Sequence, residues 1–261
     1  MTALERRLEA ATRLVEQAAM RALRMRPAPG AATGATLKGA QDWLTEADGA
    51  IEAMIFQALA EQFPDDGLIG EETGRHGAAD LRWVLDPIDG TANFARGGNR
   101  WCVSLGLLEG TAPLLGVIVA PALGETFAAC RDRGATLNGA PIAAAATPSL
   151  DSAIVECGWS TRRPAERFTR LVQDVVRAGA AIRLGGSGAL GLAEVAAGRL
   201  DAYVELHINL WDVAGALALL AEAGAFVSPF LEHEAGQGGP ILAAAPAVSA
   251  PLARAVDFAS W

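Results

Sequence analysis

The sequence predicts an α/β fold of the α+β kind, a layered sandwich whose two halves differ in character. Three observations predict it. Apolar residues recur at helical spacing in residues 3–63, and β-rich runs joined by turn residues then fill residues 68–139. From about Ser152 short strands and helices alternate to the end of the chain, a pattern suited to parallel pairing.

The elements follow in order. Leu4, Leu8, Ala11, Val15, Ala18 and Ala22 place one helix over 3–25, stopped by PAPG at 27–30. A Gly/Ala/Thr loop carries Lys38. Thr45-Glu46-Ala47-Asp48 opens a second helix to Phe63, with Ile51, Ile55 and Leu59 on one stripe. Leu68–Gly70 reads as a short strand ending on Glu71-Glu72, and LRWVLD (81–86) as a strand cut off by Pro87. Three β-rich runs come next, Trp101–Leu108, Pro113–Ala120 and Glu125–Cys130, followed by a hairpin at Gly134–Gly139. The second half predicts strands at 153–159, 181–184, 201–206, 225–228 and 241–245, with helices at 164–178, 188–197, 211–223 and 247–258. The change of pattern sets a boundary near residue 150, giving an N-terminal α+β half (1–150) and a C-terminal α/β half (151–261).

Composition narrows the function. Asp and Glu number 30 against 21 Lys and Arg, a formal charge of -9, which argues against a nucleic-acid or anionic-membrane binder. Lys38 is the one lysine among those 21 basic residues. Cys102, Cys130 and Cys157 are isolated and form no CxxC, so they read as small core residues of a reducing compartment. The longest apolar stretch, Ala112–Gly124, is broken by two prolines and too short to span a bilayer. The N-terminus lacks an unbroken apolar signal region, and a cytoplasmic location is expected.

The densest motif is Asp86-Pro87-Ile88-Asp89-Gly90-Thr91. Two carboxylates three residues apart at a strand-to-turn junction can point into one volume, with the Ile88 carbonyl between them. Gly90 permits a positive φ, and Thr91 is placed to cap a short helix whose free amides would face an anion. Oxygen ligands beside exposed amides suit a divalent cation and a phosphate together. Gly70-Glu71-Glu72, Asp48 in its Thr45 capping box, and Asp212 in Trp211-Asp212-Val213-Ala214-Gly215 each have an ordinary structural reading alone.

Taken in chain order with Lys38, Asn93-Phe94 and Gly186-Ser187, these motifs resemble the inositol monophosphatase family of Mg²⁺-dependent, lithium-sensitive phosphomonoesterases. The resemblance runs from about residue 38 to 223. It implies an αβαβα sandwich and two to three Mg²⁺ per active site. Glu71, Asp86 and the Ile88 carbonyl would hold the first ion and Asp86, Asp89 and Asp212 the second. Asp48 would accept a hydrogen bond from Thr91, and Asp48, Thr91 and Glu71 would orient the attacking water, with no covalent enzyme intermediate. Gly90, Thr91, Asp89, Gly186, Ser187, Glu205 and Asp212 would contact substrate, and Lys38 would act electrostatically. The implied substrate is inositol monophosphate. Histidinol phosphate is the alternative, with fructose 1,6-bisphosphate and adenosine bisphosphate behind it and a non-catalytic phospho-ligand binder as the different class. A homodimer is also implied. The sequence departs from the family pattern at Ala92 (commonly Thr), Gly188 (commonly Ala), Asn209 (His in some relatives) and Ser228–Gly239, which lacks the Asp-x-x-Gly hairpin. His207 and His233 read as surface residues, and Trp43, Trp83, Trp101 and Trp159 as core or interface.

Overall fold

The structure, a computed structural model, describes residues 2–31, 34–39, 42–232 and 238–261. The side chain of Lys38 and the whole of His233 lie outside the described residues. In chain order the elements are α1 (Ala3–Met25), β1 (Thr36–Gly39), β2 (Asp42–Leu44), α2 (Glu46–Gln62), β3 (Gly67–Gly70), β4 (Gly74–His76), β5 (Leu81–Asp89) and α3 (Thr91–Ala95). There follow β6 (Cys102–Glu109), β7 (Ala112–Ala120), β8 (Glu125–Cys130), β9 (Ala135–Leu137) and β10 (Ala140–Ile142). The last part holds β11 (Ile154–Cys157), α4 (Ala165–Arg177), β12 (Ala181–Arg183), α5 (Gly188–Ala196), β13 (Ala202–Ile208), α6 (Leu210–Glu222), β14 (Phe226–Val227), β15 (Gly239–Ala244) and α7 (Pro246–Ala255).

An eight-stranded sheet in the order β10-β9-β8-β7-β6-β5-β3-β4 is antiparallel except for the β3–β5 pair. A five-stranded sheet in the order β12-β11-β13-β15-β14 pairs its first three strands in parallel and β13, β15 and β14 antiparallel. The second half is therefore a mixed sheet, where the alternation predicted parallel pairing.

Side-chain alternation along the strands assigns the layers. Trp83 and Leu85 face a core with Val15 of α1 and Ile51 and Ile55 of α2. Val84 between them faces Leu190 of α5 and Val213 and Leu217 of α6. On the small sheet Ala243 faces that same α5–α6 layer, while Leu242 faces Leu171 and Val175 of α4 and Val248 and Leu252 of α7. The order is α1/α2, large sheet, α5/α6, small sheet, α4/α7: the expected αβαβα sandwich. The α5–α6 core draws residues from both sides of residue 150. The start of α6 lies directly on the large sheet, where a Cβ at Gly116 would collide with the Gly215 carbonyl. That approach carries Asp212, one turn earlier, to the end of β5.

Pro87 does not end β5. The strand continues to Asp89 through a register shift between Asp86↔Ser104 and Asp89↔Cys102, the kind of irregularity where a residue without an N–H is tolerated. The predicted hairpin forms, with Asn138 and Gly139 at φ 50° and 79° between β9 and β10, as a two-residue turn requires. Among the described residues no helix is long and apolar enough to cross a membrane.

Candidate active site

The end of β5, the start of α6 and the turn before α5 meet at one wall of a cavity of about 940 Å³. Carboxylate oxygens of Asp86, Asp89 and Asp212 lie within 4.8 Å of one another there. A second group, Asp48, Glu71 and Glu72, is equally close-set. Glu71, Asp89, Gly90, Thr91, Gly186, Ser187, Glu205 and Asp212 all line the cavity.

Local structure aims each acid. Gly90 adopts φ 89° and caps α3, reversing the chain so that Asp89 turns back toward α5. One Asp89 oxygen accepts from the Ser187 hydroxyl and the Ala189 amide (2.9 Å), the other from the Gly188 amide (3.2 Å). Asp86 accepts from the Ile88 amide at 2.9 Å. Asp212 accepts from the Asn209 amide at 2.8 Å, so its helix-cap role and its place in the cluster coexist. Asp48 accepts the Thr45 amide and hydroxyl at 2.7 and 2.6 Å, both on Oδ2. Its Oδ1 is buried without a hydrogen-bond partner among the described residues. The turn bearing Glu71 and Glu72 is held by Glu52, which accepts the Glu72 and Thr73 amides at 3.0 and 2.8 Å.

The electrostatics follow from burial without basic partners. Burial, reinforced by the charges of Glu71, Asp89 and Asp212, holds Asp86 well above the usual carboxylate range. Asp89 rises to about 6 through burial and then Asp212, and burial also raises Asp212 and Asp48. Asp86 and Asp212 bring carboxylate oxygens within 4.8 Å of each other, so each disfavours the other's charge. Among the described residues none of Asp86, Asp89 and Asp212 makes an ion pair with Arg or Lys. A set of hard oxygens, crowded and uncompensated, fits a divalent cation, and the orphaned Asp48 Oδ1 fits a donor brought with it.

Several expectations need correction. Thr91 does not donate to Asp48; its hydroxyl donates to the Ile88 carbonyl at 2.8 Å, while Asp48 is engaged by Thr45. Gly90, not Thr91, caps α3. The Ser187 hydroxyl, expected on substrate, already donates to Asp89. Gly188 is buried, and a Cβ there would come within 2.7 Å of Ile208 Cδ1 and 3.2 Å of the Tyr203 hydroxyl, so the commoner Ala would press on both side chains. His207, Trp43 and Trp159 line the cavity, whereas Trp83 and Trp101 are fully buried.

Opposite the acids, Tyr203 donates to Glu205 at 2.5 Å, and burial, with the charges of Asp212 and Asp89 behind it, pushes Glu205 up to about 8. Sequence reasoning gave no role to four residues, of which only Asn93 entered the family motif. Arg162 is the one Arg or Lys lining this cavity among the described residues, and its charge is felt at Asp212, Glu205 and His207. Asn93, Arg100 and Glu52 hold the surrounding turns. The spacing of Asn93 four residues after Asp89 was the one available signal.

The sequence profile described as the inositol monophosphatase family matches residues 3–258. A Nus factor SuhB of Xylella fastidiosa is 39% identical over 195 residues, covering 74% of this chain and 71% of that protein. A fructose-1,6-bisphosphatase/inositol-1-monophosphatase of Thermotoga maritima is 38% identical over 197 residues, 76% of this chain and 75% of its own. The solved inositol monophosphatase of Anabaena superposes with a TM-score of 0.82 at 31% identity, covering 100% of both chains. Motifs, layers and the acidic cluster agree with these likenesses: the chain belongs to the inositol monophosphatase family.

Proposed function

We propose that the chain is a Mg²⁺-dependent phosphatase that hydrolyses a small phosphate monoester, in first place inositol monophosphate. The observation that carries this reading is the buried Asp86–Asp89–Asp212 cluster, none of whose members makes an ion pair with Arg or Lys among the described residues, beside a cavity large enough for a sugar-sized ligand. Asp86 is close enough to Glu71 to feel its charge, so it stands between two sets of oxygens: Glu71 with the Ile88 carbonyl, and Asp89 with Asp212. Two cations, with a third at high concentration, would supply Lewis-acid charge to activate water and to stabilise the leaving oxygen.

The chain's own groups supply the rest. The Gly90 and Thr91 amides, at the start of α3, bind phosphate oxygens. Asp48 Oδ1 is the acceptor available to the attacking water's proton, with Thr91 and Glu71 orienting that water. Burial pushes Glu205 up to about 8, so it holds a proton more readily than a free carboxyl and can donate to a substrate hydroxyl as well as accept from one. The family resemblance would give Lys38 an electrostatic role toward the phosphate. The protein works in the cytoplasm as a homodimer without nucleic-acid or membrane partners, which light scattering and localisation would check.

Fructose 1,6-bisphosphate is the second reading. The Thermotoga relative's name includes it, and Arg162 suits a second anionic group on the leaving side. The same cation weighs against histidinol phosphate, whose amine is positive. Phosphate release should be measured on inositol 1-phosphate, fructose 1,6-bisphosphate, histidinol phosphate and adenosine bisphosphate, with Mg²⁺ and with EDTA. Release from inositol 1-phosphate that EDTA stops is expected. Silence on every substrate would overturn the reading and favour a non-catalytic role such as the name Nus factor suggests for the Xylella relative.

A further inference from the structure

The segment between the acidic cluster and β6 makes contacts that the proposed chemistry does not use. Asn93 Nδ2 donates to the carbonyl oxygens of Arg100 (2.8 Å), Gly185 (3.0 Å) and Gly186 (3.3 Å). All three partners are acceptors, which fixes the orientation of the amide. Asn93 follows Asp89 by about one helical turn, and the two side chains grip the same backbone from opposite ends. Asp89 takes the donors of Ser187, Gly188 and Ala189; Asn93 gives to the acceptors of Gly185 and Gly186.

The turn so gripped has little room to slide. A Cβ at Gly185 would run into the Arg100 guanidinium, which is itself held by Glu156 and Glu194 at 2.5 and 2.9 Å. A Cβ at Gly90 would lie 3.2 Å from the Gly186 carbonyl, so the phosphate-side loop and this turn touch with no side chain between them. Gly185, Gly186 and Ser187 line the cavity beside Asp89, Gly90 and Thr91, within reach of the part of a phosphate ester that extends beyond the phosphate.

We propose that Asn93 is a positioning residue that fixes the Gly185–Ser187 turn against the phosphate-side loop and thereby sets selectivity for the leaving group. The inference rests on the phosphatase reading above. Asn93 bonds none of the proposed cation ligands, and Asp89 keeps the Gly188 and Ala189 amides at the start of α5, so loss of Asn93 acts first on the Gly185–Ser187 turn and on where a hydroxylated leaving group sits.

The test compares inositol 1-phosphate, whose ring hydroxyls need placing, with p-nitrophenyl phosphate, whose leaving group carries no hydroxyls. Asn93→Asp keeps the shape and turns the donor into an acceptor facing carbonyls. Its kcat/KM for inositol 1-phosphate should fall by about 10- to 100-fold, the usual cost of a misplaced reactant. For p-nitrophenyl phosphate it should change by less than about threefold on the same reasoning. The rise in Tm on adding Mg²⁺ should match that of the unmodified protein. Should Asn93→Asp not fold, Asn93→Ala removes the donor without adding charge and reads the same ratio. Equal losses on both substrates, or no loss on either, would overturn the role of Asn93 alone. An unmodified protein inactive on both substrates would remove the phosphatase reading and this inference with it.

Discussion

Two clusters of buried carboxylates border the same cavity, one through Asp89 and Asp212 and the other through Glu156, and are treated in opposite ways. Glu156, 1% exposed, is paired with Arg100, which also bridges to Glu194, and Arg183 approaches the same Glu194 at 3.5 Å. Asp86, also 1% exposed, has Asp89 and Asp212 for neighbours and no Arg or Lys pair among the described residues. Burial raises both acids. Arg100 then pulls Glu156 back down, whereas the charges of Glu71, Asp89 and Asp212 push Asp86 further up. Burying charge is costly unless it is compensated. Where the fold needs only a brace it brings its own cation; where it leaves repelling oxygens exposed to a cavity, the compensation has to come from outside.

Breaking each cluster should therefore have opposite consequences. The largest effect is on turnover. Asp86→Asn should lower phosphate release from inositol 1-phosphate by about 10²- to 10³-fold or more, as losing one preorganised charge does. In EDTA at pH 8 the same variant should melt at a higher temperature, because it takes one acid out of a crowded, buried cluster. Retention of more than a tenth of the activity would detach this cluster from the chemistry. Next in size, Arg100→Gln should cost about 3–5 kcal/mol in urea unfolding, since it strands a buried Glu156. A loss below about 1 kcal/mol, the worth of a surface pair, would dissolve the contrast.

A pH profile sharpens it further. In EDTA, Asp89 near 6 and Glu205 near 8 hold protons in the folded state that the unfolded chain releases near pH 4. The stability these protons confer is complete below that point and is lost as pH rises through 6 and then 8. Tm in EDTA should fall from pH 5 to 9. Mg²⁺ should flatten the part belonging to Asp89, and Glu205→Gln the part nearer 8. A level profile in EDTA would contradict the burial argument. The smallest effect is on KM: at pH 7 Glu205→Gln exchanges one neutral group for another that can still accept from Tyr203. KM for inositol 1-phosphate should move by at most about fivefold, one neutral hydrogen bond.

Much of this was legible in the sequence because the signals are local. The stripe of Leu4 to Ala22, the Thr45–Asp48 capping box and the Asn138-Gly139 turn depend on a few adjacent residues, and each forms where the pattern places it. Asp86, Asp89 and Asp212 could be picked out as one group through the family resemblance; their meeting depends on α6 lying against Gly116, which no local pattern reveals. Strands β1, β2 and β4 were missed because three- and four-residue ladders carry too little periodicity, and β5 was cut short because a bulge around Pro87 cannot be told from a strand end. Glu52, Asn93, Arg100 and Arg162 act across distances of 20 to 94 residues or by facing a cavity, and single charged or amide residues show nothing of that in sequence.

The contrast between the clusters is tested most directly by Tm of EDTA-stripped protein at pH 8 during a Mg²⁺ titration. A ligand at 100 times its Kd adds about 2.7 kcal/mol, or roughly 5–10 °C for a chain of this size. Tm should rise by that amount and saturate, with Arg100→Gln responding in parallel from a lower start and Asp89→Asn losing most of the response. A Tm indifferent to Mg²⁺, or an undiminished rise in Asp89→Asn, would contradict the assignment of the Asp86–Asp89–Asp212 cluster as the cation site.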